Sequence, residues 1–240
     1  MNKSAPPKRQ CFVGLFDILG FKDLVKNHEL DRVWRAYDDV KTKTSNIKYN
    51  LESLFQKKLI TIDNFSDTFL IYTADHSEKE NKDEYFKALM ATCDALFHSA
   101  NTNELPIRGA ITVGELIVND GVHIGKPIID AYEMEQKQEW IGCWISDDVI
   151  NALSSELKTR YLKGNNIIRY KIPLKSDDVI DRYVFNWVDP PFEPDYDFGV
   201  LKLKKKHDWR AEKIHRNTRE YIKYVTDYIK KNKPIGVSES

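Results

Sequence analysis

Two aspartates, Asp17 and Asp67, have the residue type and the setting that most directly suggest chemistry. Asp17 is the first charge after the apolar run 12–16, which is typical of a strand buried on both faces. Asp67 comes just past a tight turn at Phe65-Ser66, between two further strand-like runs. An unpaired carboxylate is costly to bury, so each should be solvated, hydrogen-bonded or bound to a cation. If the hairpin pairs beside the first strand, the two carboxylates meet and could hold a divalent cation.

These aspartates also have a purely structural interpretation, in which each caps the turn beside it. Gly20 follows Asp17 closely and permits a sharp turn that no β-branched residue would make. The cation hypothesis, unlike the capping one, requires the two strand ends to be neighbours in one sheet.

The elements that would position these side chains follow from hydrophobic periodicity. Apolar residues at three- and four-residue steps predict one long helix over 30–55 and a second around 86–97. A hairpin over 58–73 lies between them, and a long strand over 107–118 follows. The resulting βαββαβ order is that of a ferredoxin-like α+β fold, in which helices cover one face of an antiparallel sheet.

Extra strands and a long C-terminal helix are predicted after this core. The helix is marked by apolar residues between Ile214 and Ile229. The other predicted elements are a turn over 121–127, a helix over 128–140, a strand over 141–146, one helix capped by Ser146, and strands over 167–173 and 183–188.

We divide the chain into a flexible leader (1–10), one folded domain (11–190), and a loop with a basic amphipathic helix that packs on the same domain (191–240). Residues 201–240 contain twelve Lys and Arg against five Asp and Glu, although the whole chain has a formal net charge of zero. The basic charge therefore belongs to one element with a solvated face, and no nucleic-acid partner is expected. Contact of that helix with nucleic acid is the alternative.

Composition excludes other classes of protein. The 240 residues are 41% hydrophobic and 12% aromatic, which is typical of a globular chain. No apolar run approaches the length of a membrane span, and the first ten residues are too short and polar for a signal peptide. We therefore expect a cytoplasmic protein without a membrane partner. Its cysteines, Cys11, Cys93 and Cys143, should be reduced core residues.

Four segments resemble the class III nucleotidyl cyclases. They are FDILGF at 16–21, FSDTF at 65–69, IRGAITVGELIV at 107–118 and HIGKPIIDAYEME at 123–135. The resemblance covers residues 10–190 and looks strongest to the bacterial pyrimidine cyclases of the Pycsar antiphage system. It implies the class III cyclase core with extra strands after it.

The resemblance implies a metal site. In the family the two matching aspartates hold two divalent ions, and the carbonyl that matches Ile18 adds a ligand. One ion lowers the pKa of the ribose 3′-hydroxyl, and the other neutralises charge on the triphosphate. The implied cofactor is a pair of Mg²⁺ or Mn²⁺ ions, with Asp17 and Asp67 as catalytic ligands.

Contacts to substrate are implied as well. The amides of Gly20, Phe21 and Lys22 would face the phosphates, and the Lys22 side chain could add a charge. Asp63 stands where purine-specific relatives carry a base-reading lysine, so we assign it to substrate binding, with a surface-strand role as the alternative. Val122 stands at their second reading position. Both purine readers are absent, so adenylate or guanylate cyclase specificity is not expected.

A second departure concerns the transition state. Purine cyclases place an asparagine and an arginine on the helix after the glycine turn, where this chain has Ile129 and Glu133. Either another cation acts in their place or the domain is catalytically silent. Arg108 is our candidate catalytic cation, although the family keeps an arginine there that could serve only the fold. Lys171 and Lys175 fall near the family's late-strand phosphate lysine.

The function implied by the resemblance is conversion of UTP or CTP to the 3′,5′-cyclic nucleotide and pyrophosphate, with uridylate cyclase favoured over cytidylate cyclase. The enzyme would be a homodimer with active sites at the interface, and its product would activate a separate effector in antiphage defence. The alternative is a silent cyclase-like domain that binds nucleotide or protein. A diguanylate cyclase is disfavoured because the hairpin lacks that family's Gly-Gly-Asp/Glu-Glu-Phe signature.

Overall fold

The computed structural model describes residues 6–77, 82–188 and 209–232. Its elements are, in chain order, β1 Lys8–Ile18, α1 Phe21–Asn27, α2 Leu30–Phe55, β2 Ile60–Phe65, β3 Thr68–Thr73, α3 Lys82–Thr102, β4 Ile107–Asn119, β5 Val122–Ile124, α4 Lys126–Lys137, β6 Gly142–Ile145, α5 Asp147–Ala152, α6 Ser155–Lys163, β7 Ile167–Pro173, β8 Val179–Phe185 and α7 Trp209–Asn232. The strands form one sheet in the order β2-β3-β1-β4-β6-β8-β7, with β5 paired to β4.

The first strand, β1, lies inside the sheet and determines where Asp17 is placed. It pairs antiparallel with β3 on one side and with β4 on the other. Phe12 and Phe16 point to one face, where their rings contact Phe86 and Phe97 of α3. Asp17 is the last residue but one of β1, so it lies where the apolar core ends.

The opposite face of β1 is covered by a different helix, α4. Cys11 and Val13, which alternate with the inward phenylalanines, pack with Ile128 of α4. Thr112 Oγ1 donates a hydrogen bond to the Pro127 carbonyl at 2.7 Å, which holds the start of α4 on β4. The helices of the βαββαβ core cover one face as predicted, and α4, which follows that core, covers part of the second face.

Several predicted bounds differ locally from the structure. β1 begins at Lys8, so residues 8–10 belong to a strand and not to a leader. The single helix predicted after Ser146 is two helices, α5 and α6, because Ser154 starts a second one by accepting the Leu157 amide at 3.1 Å. The short elements α1 and β5 were not predicted, since neither is long enough to show a period.

The C-terminal helix α7 packs on the sheet, where it contacts β7, β8 and the residue before β6. The Ile141 amide donates to Thr218 Oγ1 at 2.9 Å. Tyr221, Ile222 and Val225 are fully buried. These contacts place the apolar side of the helix on the sheet, as predicted for its periodic residues. The loop predicted before the helix, over 191–208, lies outside the described residues.

Two expectations from composition can be compared with the structure. Cys11, Cys93 and Cys143 are buried and carry free thiols, as predicted. Within the described ranges, no helix has both the length and the apolar character needed to cross a bilayer.

Candidate active site

β1 and β3 bring Asp17 and Asp67 together at one end of the sheet. Asp17 is paired in register with Thr68, the residue after Asp67. The Ile18 amide donates a hydrogen bond to the Asp67 carbonyl at 3.0 Å, so the backbone positions both residues. Ser66 adopts a positive φ of 54° in the short turn between β2 and β3. The strand pairing that the cation hypothesis requires is therefore present.

The Asp17 carboxylate lies in surroundings that disfavour its charge. Its pKa is raised to about 7, first by burial and then by the negative charges of Glu135 and Asp67, while Arg108 and Lys175 oppose the rise. Within the described residues, neither aspartate carboxylate takes part in a hydrogen bond or an ion pair. Adjacent carboxylates without partners are suited to a cation, which would supply the missing positive charge.

The donor set at this end of the sheet suits a metal that substrate helps to bind. Mg²⁺ takes oxygen ligands and usually binds one or two protein carboxylates together with substrate phosphates. Asp17 and Asp67 supply two carboxylates, and the part of the chain that the structure describes contains no cluster of three or more His, Cys, Asp or Glu residues. The residues present therefore fit an open catalytic site and not a closed structural one.

The turn after β1 leads directly into α1. Gly20, the residue before the helix, has a φ of 76°, a conformation that favours glycine. Its carbonyl accepts a hydrogen bond from the Leu24 amide at 3.0 Å. The amides of Phe21 and Lys22 therefore lie in the first helical turn, where no acceptor exists within the helix. The Lys22 side chain is exposed, whereas the Phe21 ring lies 6.2 Å from that of Tyr37.

Arg108 is not available for the catalytic contact that we predicted. Its Nε donates to Glu135 Oε1 at 2.5 Å, and its Nη1 donates to the Gln138 carbonyl at 2.8 Å. The Arg108 and Glu135 side chains are only 5% and 2% exposed. This buried ion pair joins β4 to α4 within one protomer. The assignment of Arg108 to phosphate contact is therefore wrong.

The structure separates the two lysines between which the sequence could not choose. Lys171 is exposed on β7, whereas Lys175 is partly buried and donates from Nζ to Gln136 Oε1 at 3.3 Å. Burial lowers the pKa of Lys175, and its positive charge acts against the raised pKa of Asp17. Lys175 is thus a cation within electrostatic range of Asp17. Sequence reasoning had no signal for this, because the loop that follows β7 determines where the side chain lies.

Asp63 belongs to a second polar cluster, together with Tyr72 and His123. His123 Nε2 lies 2.9 Å from Asp63 Oδ2 and 3.4 Å from Tyr72 Oη. The hairpin of β4 and β5 places His123 against β2 and β3, although β1 and β4 separate these strands in the sheet order. This contact joins residues that are far apart in the sequence, so no local pattern around His123 could predict it.

Several exposed apolar side chains lie on α4, on β5 and at the end of β2. Ala131 of α4 is fully buried, so this helix has an inner and an outer side. The exposed side chains are Ile129 and Tyr132 on α4, Val122 and Ile124 on β5, and Phe65 at the end of β2, all of them at least 55% exposed. This surface is suited to contact with another molecule.

Comparison with protein-family models gives no match, and neither does comparison with curated protein sequences. Solved structures do match. One is the catalytic core of a rhodopsin-guanylyl cyclase with converted specificity in complex with ATPalphaS, at 12% identity and a TM-score of 0.56, over 76% of this chain and 98% of that chain. Another is the guanylyl cyclase Cya2, at 14% identity and a TM-score of 0.50, over 79% of this chain and 98% of that chain. The chain therefore has the mixed α+β fold of class III cyclase catalytic cores, as its motifs predicted.

Proposed function

We propose that this chain is a pyrimidine nucleotide cyclase, which converts UTP or CTP to the 3′,5′-cyclic nucleotide and pyrophosphate. The observation that carries the proposal is the pair of carboxylates of Asp17, near the end of β1, and Asp67, in the turn that precedes the neighbouring strand β3, in a sheet with the class III cyclase fold. Asp63 and Val122 replace the residues that read a purine in relatives, which argues against ATP and GTP. UTP is favoured because uridylate cyclases are the more frequent pyrimidine cyclases.

In this mechanism Asp17, Asp67 and the Ile18 carbonyl would hold two Mg²⁺ or Mn²⁺ ions. When bound, the ions supply Lewis acidity at the ribose 3′-hydroxyl and neutralise charge on the triphosphate. Asp17 must be ionised to act as a ligand, and its pKa of about 7 in the protein means that it gives up a proton on doing so. The amides of Phe21 and Lys22 donate to phosphate oxygens and so orient the leaving pyrophosphate.

Lys175 acts where purine cyclases use an arginine. Its charge lies close enough to Asp17 to affect the pKa of that group. An ammonium there stabilises negative charge that develops on the phosphates in the transition state. Arg108 is not suited to this role, because its buried guanidinium is already held by Glu135 and by the Gln138 carbonyl.

The active unit in this proposal is a homodimer with sites at the interface, each taking metal ligands from one subunit and base contacts from the other. The exposed apolar residues of β5 and α4 support it, since a second copy would remove them from water. Ile129→Asp should therefore give an inactive monomer by analytical ultracentrifugation. Tyr49→Asp is the matched control, because Tyr49 is 70% exposed on α2, against 60% for Ile129, and should leave the dimer intact.

The cyclic product would be a second messenger that activates a separate effector in antiphage defence. The alternative function is a catalytically silent domain that binds nucleotide or protein, which the replacement of the family's asparagine and arginine by Ile129 and Glu133 favours. Product analysis separates the two.

The test is incubation of the purified protein with each of the four ribonucleoside triphosphates and Mn²⁺ or Mg²⁺, followed by separation of products. We expect cyclic UMP or cyclic CMP as the main product. No cyclic product from any nucleotide would favour the silent domain. Cyclic AMP or cyclic GMP as the main product would contradict the proposed specificity.

A further inference from the structure

The C-terminal helix α7 contacts the loop that carries Lys175. This loop, residues 174–178, joins β7 to β8. The Lys175 amide donates a hydrogen bond at 2.9 Å to the carbonyl of Lys137, the last residue of α4. In the same loop, Asp177 Oδ1 lies 2.6 Å from Nζ of Lys213 on α7. The loop is therefore attached to two helices, and α7 is one of them.

Lys213 also neutralises a carboxylate that is buried. The Glu139 side chain is 3% exposed and forms an ion pair with Lys213, whose side chain is 16% exposed. The Glu139 amide donates to the Pro173 carbonyl at 2.9 Å, and Asn217 Nδ2 donates to the Glu139 carbonyl at 2.7 Å. The backbone of Glu139 is thus held by both β7 and α7. Its buried carboxylate therefore needs a cation at this place.

Arg210, one turn earlier on α7, contributes less to this neutralisation. Its Nε lies 3.8 Å from Glu139 Oε1, and its side chain is 53% exposed. Solvent and salt screen an exposed charge much more than a buried one. Lys213 is therefore the main counter-charge of Glu139.

Lys175 is another cation within electrostatic range of Glu139. Burial and then the charge of Arg108 lower the pKa of Lys175, whereas the charge of Glu139 acts to raise it. Lys175 Nζ donates to Gln136 Oε1 at 3.3 Å, which is long for a hydrogen bond. An ammonium held this weakly would move toward a buried carboxylate that had lost its counter-charge, because an unpaired charge is costly to bury.

We propose that Lys213 is a positioning residue, which keeps the Lys175 ammonium within range of Asp17. It does so by holding the loop through Asp177 and by neutralising Glu139. Without Lys213, the Lys175 ammonium pairs with Glu139, and its charge is withdrawn from the substrate phosphates. This inference rests on the proposed function, in which Lys175 stabilises charge on those phosphates. It adds α7 to the elements that support the active site.

The first experiment measures turnover of UTP and of CTP with Mn²⁺. Lys213→Met should lower kcat about 10-fold with KM nearly unchanged, because Lys175 acts on charge that develops in the transition state. Lys213→Arg keeps a cation and should retain most of the activity. Lys223→Met removes an exposed charge from the same helix, so it is the matched control and should have little effect. An unchanged kcat in Lys213→Met would overturn the proposal.

A double-mutant cycle tests whether Lys213 acts through Lys175. If it does, Lys213→Met should cause no further loss of kcat in a protein that already carries Lys175→Ala. Two independent contributions would instead multiply. Multiplied losses would therefore overturn the proposal.

A second double variant tests the competition for Lys175. Lys213→Met combined with Glu139→Leu removes both charges of the buried pair, so it should fold and recover kcat to within about 3-fold of the wild type. Thermal unfolding of the same samples shows which variants are folded at the assay temperature. A folded double variant with the full loss of kcat would overturn the proposal.

NMR follows the Lys175 amine without turnover. In protein labelled with ¹³C,¹⁵N-lysine, the Nζ resonance that is missing from Lys175→Arg belongs to Lys175, and its change with pH gives the pKa. Lys213→Met should raise this pKa by about one, because Lys175 then pairs with a carboxylate. An equal pKa in the wild type and in Lys213→Met would overturn the proposal. No nucleotide is used, so an inactive wild type would refute the proposed cyclase activity and leave this test valid.

Discussion

Two neighbouring groups of charges in this sheet are built in opposite ways. Asp17 on β1 is paired in register with Arg108 on β4. The guanidinium of Arg108 is buried, and both Glu135 and the Gln138 carbonyl accept its hydrogen bonds. Asp17 has no such partner among the described residues, and its pKa is raised to about 7. A charge that lies beside the proposed metal ligands is therefore not available for catalysis by its position alone, because its hydrogen-bond and ion-pair partners decide whether it is free to contact a substrate.

The largest expected effect is on kcat/KM, and it comes from substitution of Asp17 or Asp67. Asp17→Ala and Asp67→Ala should each lower kcat/KM by about 1,000-fold or more, because several kcal/mol of charge stabilisation are lost. Neither change should reduce the melting temperature, since removal of one clustered carboxylate relieves repulsion. Product formation and thermal unfolding measured on the same samples test both statements. Retained activity in either variant would contradict the metal assignment.

Substitutions in the ion pair of Arg108 and Glu135 should instead change the stability of the protein. Arg108→Met leaves the Glu135 carboxylate buried without its cation, which should cost about 3–5 kcal/mol of unfolding free energy. Denaturant unfolding measures this loss. The double variant Arg108→Met with Glu135→Leu removes both charges and should recover most of it. If the double variant folds but has lost turnover, the purely structural role of the pair is wrong.

The positions of Asp17 and Asp67 could largely be predicted, because they depend on residues that are close in the sequence. Asp17 follows an apolar run, and Asp67 follows a turn. The pairing of β1 with β3 then required only a standard order of strands. The bounds of α2 followed from apolar periodicity, and the buried cysteines followed from their apolar neighbours and the absence of metal-ligand spacing.

The role of Arg108 was predicted wrongly, because it depends on a partner that is distant in the sequence. Arg108 and Glu135 lie 27 residues apart, and only the packing of α4 on the second face brings them together. The contacts of Lys175 and His123 are not local either, and these residues lie in a loop and in a three-residue strand that show no detectable period. A sequence pattern can place a charge at the end of a strand, but it cannot show which partner neutralises it.

Substitution of Lys175 tests whether a cation with one hydrogen-bond partner, Gln136, contributes to catalysis. Lys175→Ala should lower kcat by about 10- to 100-fold, because a cation near the developing charge is lost. Lys171→Ala on β7 is the matched control, four residues earlier in the chain, and it should have little effect because that side chain is exposed. Equal effects of the two substitutions would show that Lys175 acts only through general charge.

The smallest expected effect is the dependence of stability on pH. Asp17 titrates near 3.8 when unfolded and near 7 when folded, so the folded protein holds a proton that the unfolded chain has released. Stability from this group therefore falls as pH rises from about 4 to 7. Asp17→Asn removes that dependence, so its melting temperature should exceed that of the wild type by a few degrees at pH 8 and match it at pH 3.5.

Divalent ions should reverse this difference. An ion that binds only the folded protein stabilises it by mass action, so Mn²⁺ at pH 8 should raise the melting temperature of the wild type. Asp17→Asn lacks one ligand and should respond much less. The comparison uses no substrate, so it tests the carboxylate pair as a cation site independently of turnover. An equal response of both proteins to Mn²⁺ would mean that the ion binds elsewhere, and the contrast between the two groups of charges would then need another explanation.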